Sequence, residues 1–257
     1  MLRSLVAAIG ALSVATAAAA QDNCRYEANR SANVSASGAR QLVVEAGSGS
    51  LRIEGRPGAS EVRVRGRACA SSQDLLDQLD FDAGRQGDAV RVITQEIDSN
   101  WSDWGGNRYA RLDLVIEVPA GIAADIQDGS GSAEILGLGD TRIRDGSGEL
   151  LIDGIDGLLE IIDGSGEIVV RTVEGDVVIE DGSGEIEVAD VRGSVSIEDG
   201  SGEISASGVG RNLRIADSSG SIDADQVGGD FTVSHDSSGS IRHRGVRGAV
   251  DIPRRNR

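Results

Sequence analysis

Residues 163–199 read DGSGEIVVRTVEGDVVIEDGSGEIEVADVRGSVSIED. Two near-copies of an 18-residue unit stand back to back, Asp163–Glu180 and Asp181–Glu198, and Asp199 opens a third. Working outward, DGSG also begins at Asp128 and Asp145, and DSSG begins at Asp217 and Asp236, at intervals of 17, 18, 18, 18, 18 and 19 residues. Counted from each Asp, aliphatic side chains recur at +5, +7, +10, +14 and +16. From Asp181 these are Ile186, Val188, Val191, Val195 and Ile197; from Asp163 they are Ile168, Val170, Val173, Val177 and Ile179. The unit from Asp217 gives Ile222, Ala224, Val227, Phe231 and Val233, and a Gly recurs at +12 as Gly157, Gly175, Gly193 and Gly229.

Steps of two are strand periodicity, because successive side chains of a strand point to opposite faces. Helical spacing is missing, and the corner glycines would break helices. Each unit therefore predicts two short strands and tight turns with one apolar face. Such a unit cannot fold alone: five inward aliphatics contribute roughly 7–15 kcal/mol, while fixing 18 backbones costs roughly 18–36 kcal/mol. Stacked neighbours supply the missing hydrogen bonds and close the interior. The expectation is an all-β chain, a single-stranded parallel β-helix (a β-solenoid) of about 18 residues per coil. A left-handed hexapeptide helix would need an aliphatic every six residues, which these offsets do not give. Parallel crossovers favour the right hand, so a right-handed coil is expected. A β-sandwich also has short strands at regular spacing, but has no reason to repeat side chains in phase.

VPAGIAADI (Val118–Ile126) followed by stacked DGSGEI repeats resembles the bacterial putative-adhesin family of exported β-solenoids, relatives of the head-GIN domains. The resemblance covers roughly residues 40–252. It implies a parallel β-helix and an envelope location, and carries little mechanism.

Composition agrees. Among 257 residues, 36 are Gly and 3 Pro, aromatics make up 2% and hydrophobic residues 39%. That is too many hydrophobics for a disordered polyanion and too few rings for an ordinary enzyme core, so Val, Ile, Leu and Ala must build the interior. The net charge is −17 and every basic residue is Arg, which disfavours binding to nucleic-acid backbones. The charge is uneven: residues 121–240 hold 26 acidic and 6 basic residues, residues 241–257 hold 1 and 6.

Residues 1–20, MLRSLVAAIGALSVATAAAA, predict an export signal, with Arg3 as the positive region, an apolar run, and Ala18–Ala20 as a small-residue cleavage site. No later stretch is apolar for long enough to span a membrane, so a periplasmic, cell-surface or secreted location is expected. In an oxidising compartment Cys24 and Cys69 predict an intramolecular disulfide. It would close a loop of about 45 residues, worth about 4 kcal/mol in the chain-entropy model; a free thiol and an intermolecular pair are the alternatives. Residues 21–39 form an N-terminal extension and residues 40–127 a cap with irregular first coils, continuous with the regular coils at 128–252. Within the cap, GSGSLRIEG (47–55) and EVRVRG (61–66) look like an earlier coil. SSQDLLDQLDF (71–81) has Leu75, Leu76 and Leu79 at helical spacing, with Ser72 as a cap. Pro253 stops strand pairing, and residues 253–257 form a basic tail.

Two surface features are candidate sites. The first is the carboxylate ladder. The Asp of each DGSG can cap backbone N–H groups of its own turn, but that does not explain Glu149, Glu167, Glu185 and Glu203, or Glu180 and Glu198. Neighbouring coils lie about 4.8 Å apart, so these carboxylates repel. Glu180, Asp181, Glu185, Glu198, Asp199 and Glu203 would suit a hard cation with oxygen ligands, Ca2+ above all; a solvated anionic face is the alternative. The second is NWSDWGGNRYAR (100–111), where Trp101, Trp104 and Tyr109 with Asp103 and Arg108 could stack a sugar or form a protein contact, or fold over the open end of the core. Asn33 and Asn100 also lie in glycosylation sequons, a weak signal.

An enzyme is disfavoured. His235 and His243 are the only histidines, no nucleophile elbow occurs, and residues 145–233 offer no unusual place among uniform coils. No catalytic residue is assigned, and no cofactor apart from Ca2+. The leading reading is a non-catalytic exported solenoid that acts as an adhesin or contacts an envelope protein or glycan surface. A Ca2+-stabilised envelope scaffold and a polysaccharide-acting β-helix enzyme are the alternatives.

Overall fold

The computed structural model describes residues 24–95 and 108–253; the expected export signal lies outside them. The first strands are β1 (Tyr26–Ser35), β2 (Gln41–Glu45), β3 (Leu51–Arg56) and β4 (Glu61–Ala70), followed by a helical turn, α1 (Gln73–Leu76). Then come β5 (Phe81–Gln86), β6 (Ala89–Thr94), β7 (Ala110–Pro119), β8 (Ala123–Asp128) and β9 (Gly131–Leu136). From there short and long strands alternate: β10 (Thr141–Asp145), β11 (Gly148–Ile155), β12 (Leu159–Asp163), β13 (Gly166–Val173), β14 (Val177–Asp181), β15 (Gly184–Val191), β16 (Val195–Asp199) and β17 (Gly202–Val209). The chain ends with β18 (Leu213–Val227), which runs through both walls, then β19 (Phe231–Ser238), β20 (Ile241–Arg244) and β21 (Val250–Asp251).

The regular part is a parallel β-solenoid. Short strands stack as one wall, with Val177 beside Leu159 and Val195, and long strands as the other, with Ile186 beside Ile168 and Ile204. The 19-residue interval is absorbed by a bulge after Ile215, where Ala216 pairs with His235 and Ser234 is passed over. All fifteen aliphatic or aromatic positions read from Asp163, Asp181 and Asp217 point inward, each at most 3% exposed. They form one continuous core that runs on into the cap through Leu42, Ile53, Val92 and Ile116.

The second Gly of each DGSG is dictated by stacking. Gly184 has φ +149°, and a Cβ there would lie 1.6 Å from the carbonyl oxygen of Gly166 in the coil below. The turn itself belongs to the ladder, since the Gly184 N–H donates to the Ser201 carbonyl at 2.9 Å.

The cap departs from a simple earlier coil. β2 lies between β6 and β8, and β3 between β7 and β9, parallel in all four pairings. β2 and β3 thus form an inner rung, while β6 and β7, which follow them in sequence, stack outside them. The end is closed by reversal: β4 is antiparallel to β7, β1 to β4, and β5 to β6. Antiparallel strands can cover a parallel edge without a further crossover, as a solenoid end requires. The helix expected over 71–81 shrinks to one turn. Ser72 does cap it, its hydroxyl accepting from the Leu75 N–H at 3.4 Å, and Leu75, Leu76 and Leu79 are buried. Asp80 then accepts from the Phe81 N–H at 2.9 Å and Phe81 starts a strand. Cys24 and Cys69 are joined as a disulfide, tying the start of the described chain to β4. Among the described residues no helix is long and apolar enough to cross a membrane.

Candidate functional site

Strand alternation decides where the DGSG aspartates go. In β14 the burial runs Val177 in, Val178 out, Ile179 in, Glu180 out, Asp181 in. The Asp is therefore the last inward residue of each short strand. Asp128, Asp145, Asp163, Asp181, Asp199 and Asp217 are buried, 0–8% exposed, and each faces its counterpart one coil away in register. A column of six carboxyls runs beside the hydrocarbon core.

One oxygen of several of these aspartates does what a turn Asp is expected to do. Asp181, Asp199 and Asp217 accept from the N–H groups of Ser183, Ser201 and Ser219 at 3.3, 3.1 and 2.8 Å, and Asp128 accepts from Gly129 at 2.9 Å. The other oxygen, Oδ2, of Asp128, Asp181, Asp199 and Asp217 is buried without a hydrogen-bond partner; Asp145 and Asp163 are buried beside the N–H groups of Gly146 and Ser147 and of Gly164 and Ser165, which favour their charged forms. Burial, followed by the charge of Asp145, pushes Asp128 up to about 6. Burial, with Asp181 and Asp217 as charged neighbours, likewise pushes Asp199 up to about 6 against the Ser201 and Gly200 N–H groups that favour its charged form. Asp145, Asp163, Asp181 and Asp217 are raised too, burial being the largest cause in each. Two full charges about 4.8 Å apart would repel by about 3 kcal/mol at an effective dielectric constant of about 20.

Beside the column lies a groove of about 450 Å3, lined by Glu180, Glu198, Asp163, Asp181, Asp199 and Asp217 together with His235. Of the six carboxylates expected to share a cation, the groove thus gathers Glu180, Asp181, Glu198 and Asp199. Glu185 and Glu203 do not join them: they project outward from the other wall, in register with Glu149 and Glu167 as an exposed four-carboxylate ladder. Among the described residues, no group of three or more His, Cys, Asp or Glu side chains is placed to hold one metal ion.

The opposite corner carries a pinning device that the sequence reading missed. Asp176 accepts from the Ser194 N–H at 2.7 Å, Asp140 from Leu158 at 2.9 Å, Asn212 from Asp230 at 3.0 Å and Asp230 from Ala249 at 2.8 Å. Each side chain caps the backbone of the next coil. The signal was present as Asp or Asn 12 or 13 residues after the turn Asp at 140, 176, 212 and 230.

Of the aromatic stretch, Trp101, Asp103 and Trp104 lie outside the described residues. Arg108 is exposed. Tyr109 is tied into the cap: its hydroxyl accepts from the Arg25 N–H at 2.9 Å, and its own N–H donates to Ser71 Oγ at 3.1 Å.

No protein-family model matches the sequence, and no curated protein does. Solved structures similar to this chain include a putative cell adhesion protein of Clostridium sporogenes (14% identity, 88% of this chain and 99% of that one, TM-score 0.37). Others are a putative adhesin of Bacteroides fragilis (15%, 89% and 98%, TM-score 0.40) and a putative lipid binding protein of Parabacteroides distasonis (15%, 87% and 96%, TM-score 0.43). The structures that this chain resembles thus include adhesins by name, while the solenoid itself rests on the strand register described above.

Proposed function

We propose that the protein is an exported, non-catalytic solenoid whose acidic flank serves as an adhesive or envelope-binding surface. The observation that carries this reading is the repetition of surface side chains in register: Glu149, Glu167, Glu185 and Glu203 occupy equivalent positions on four successive coils. A ladder of identical carboxylates at a fixed spacing suits a repetitive or extended partner, such as a glycan or an envelope protein, and gives no single coil a different chemistry. Catalysis needs converging unlike groups at one place, and the uniform coils instead repeat one surface. Export is supported by the leader-like residues 1–20 and by the Cys24–Cys69 bridge, since disulfides persist outside the reducing cytosol.

The test is binding of the purified protein to isolated cell envelopes, alongside protease treatment of intact cells. The reading expects saturable binding that falls sharply when Glu149, Glu167, Glu185 and Glu203 are all changed to Gln, with the fold unchanged by circular dichroism. Undiminished binding by that variant would remove the ladder as the contact surface. Retention in the cytosol would remove the envelope role.

A further inference from the structure

We propose that the buried aspartates are held together by shared protons, each protonated carboxyl donating its O–H to an oxygen of the aspartate one coil away, so that the solenoid carries an acid-strengthened hydrogen-bond ladder along its interior edge. This goes beyond the proposed function, which concerns the outer surface.

Three geometric facts converge. The aspartates are in register, one per coil from Asp128 to Asp217. They are at least nine-tenths buried. Each has a buried oxygen that faces no donor. A buried carboxylate oxygen without a donor is costly, and two such oxygens on adjacent coils cannot satisfy one another while both groups are ionised. A proton placed between them satisfies both at once: one oxygen becomes a donor and the other stays an acceptor. The turn N–H groups of Ser183, Ser201 and Ser219 already occupy the first oxygen, which leaves Oδ2 for its neighbour.

Among the described residues, no basic side chain acts on Asp145, Asp163, Asp181 or Asp199 in the middle of the column. On the same strands Glu180 and Glu198 point outward. Across the turn Glu167, Glu185 and Glu203 are exposed, and the inward neighbours Ile168, Ile186 and Ile204 are aliphatic. Near the ends, Arg144 bonds Asp125 at 3.3 Å, Glu45 pairs with Gln127 next to Asp128, and His235 and Asp236 lie against Asp217. With ordinary carboxyl pKa values near 4 in the unfolded chain and raised values in the fold, the folded state binds more protons than the unfolded state above about pH 4. The contribution of Asp128 and Asp199 is therefore fully present below about pH 4 and is lost as pH rises through about 6, and that of Asp145, Asp163, Asp181 and Asp217 is lost as pH rises above the ordinary carboxyl range.

The experiment is thermal unfolding of the protein as a function of pH, with EDTA present. The melting temperature should fall by about 10 °C or more between about pH 4.5 and pH 8. In the double variant Asp181→Asn, Asp199→Asn, whose amides donate without titrating, the slope should flatten and the melting temperature at pH 8 should exceed that of the wild type. Glu185→Gln with Glu203→Gln, on the exposed ladder, should keep the wild-type slope. Should the Asn variant fail to fold, infrared spectra of the wild type decide: a protonated-carboxyl stretch present in the folded protein near pH 6 and lost on unfolding supports the ladder. Its absence overturns the ladder, as does an equal pH slope in the wild type and the Asn variant. A rise in melting temperature at pH 8 with Ca2+ but not with ionic-strength-matched Na+, abolished in the Asn variant, would place a metal ion where the protons are assigned and equally overturn it.

Discussion

Between Gly148 and Val209 each strand lies parallel to its counterpart 18 residues on, whereas between Tyr26 and Pro119 the chain stacks out of sequence order and turns back on itself. The two regions solve one problem differently. In the coils a residue is constrained chiefly by its copies above and below, so the same side chain, or the same lack of one, must recur. In the cap, antiparallel partners differ along the strand, and the sequence there is free to vary: β4 pairs Arg67 with Glu27 at 2.9 Å, and Arg65 with Glu117 at 2.9 Å, where the coils repeat Gly, Glu and Ile. Repetition is thus the consequence of parallel stacking, and irregularity is what lets the stack stop.

The largest expected effect breaks this contrast at one methyl group. Gly184→Ala puts a Cβ 1.6 Å from a backbone oxygen at a φ that L side chains rarely adopt, and should cost about 4 kcal/mol or more, read as a collapse of the denaturation midpoint or loss of folded protein. Gly84→Ala in β5 of the cap meets nothing within 4 Å and should leave stability unchanged or raise it by about 0.5–1 kcal/mol. Equal losses at the two positions would show that stacking is not what demands the glycine.

Next in size is the disulfide. Replacing Cys24 and Cys69 by Ser should destabilise the cap by up to about 4 kcal/mol, and hydrogen exchange should show the loss in β1 and β4 while β13 to β17 stay protected. Uniform loss of protection would mean that cap and coils unfold as one unit. The smallest effect sharpens the comparison within the coils. Thr172 sits at φ 55°, at the corner position where Gly154 and Gly208 have φ 73° and 67°. A β-branched residue is strained there by about 1–2 kcal/mol, part of which the extra chain entropy of Gly offsets. Thr172→Gly should therefore gain about 0.5–1 kcal/mol in chemical denaturation.

How far the sequence could be read follows the same division. Ile186, Val188, Val191, Val195 and Ile197 were legible as inward because a single chemical type repeats at strand spacing, and Cys24 and Cys69 were legible as a pair because the sequence has two cysteines. The short wall was cut one step early, however. The alternation at +14 and +16 continues to +18, and +18 is the next Asp. Reading Asp181 as a turn residue captures its bond to Ser183 and misses that its other oxygen is buried; hydropathy marks Asp as outward even where the pleat turns it in. For the same reason the expected cation set joined Glu185 and Glu203 to Asp181 and Asp199, although the turn between them sends the glutamates to the other wall.

The sequence alone determined the parallel coil, its 18-residue rise and the identity of its core, because a self-stacking strand must match its own copies and the match is written as a period. Only the tertiary structure decided which coil lies next to which at the capped end, and that six acids share the interior edge. Both depend on contacts between segments far apart in the chain: β2 finds β6 and β8 through hydrogen bonds open to any backbone, and the burial of an Asp is set by the coils on either side of it rather than by its own neighbours in sequence.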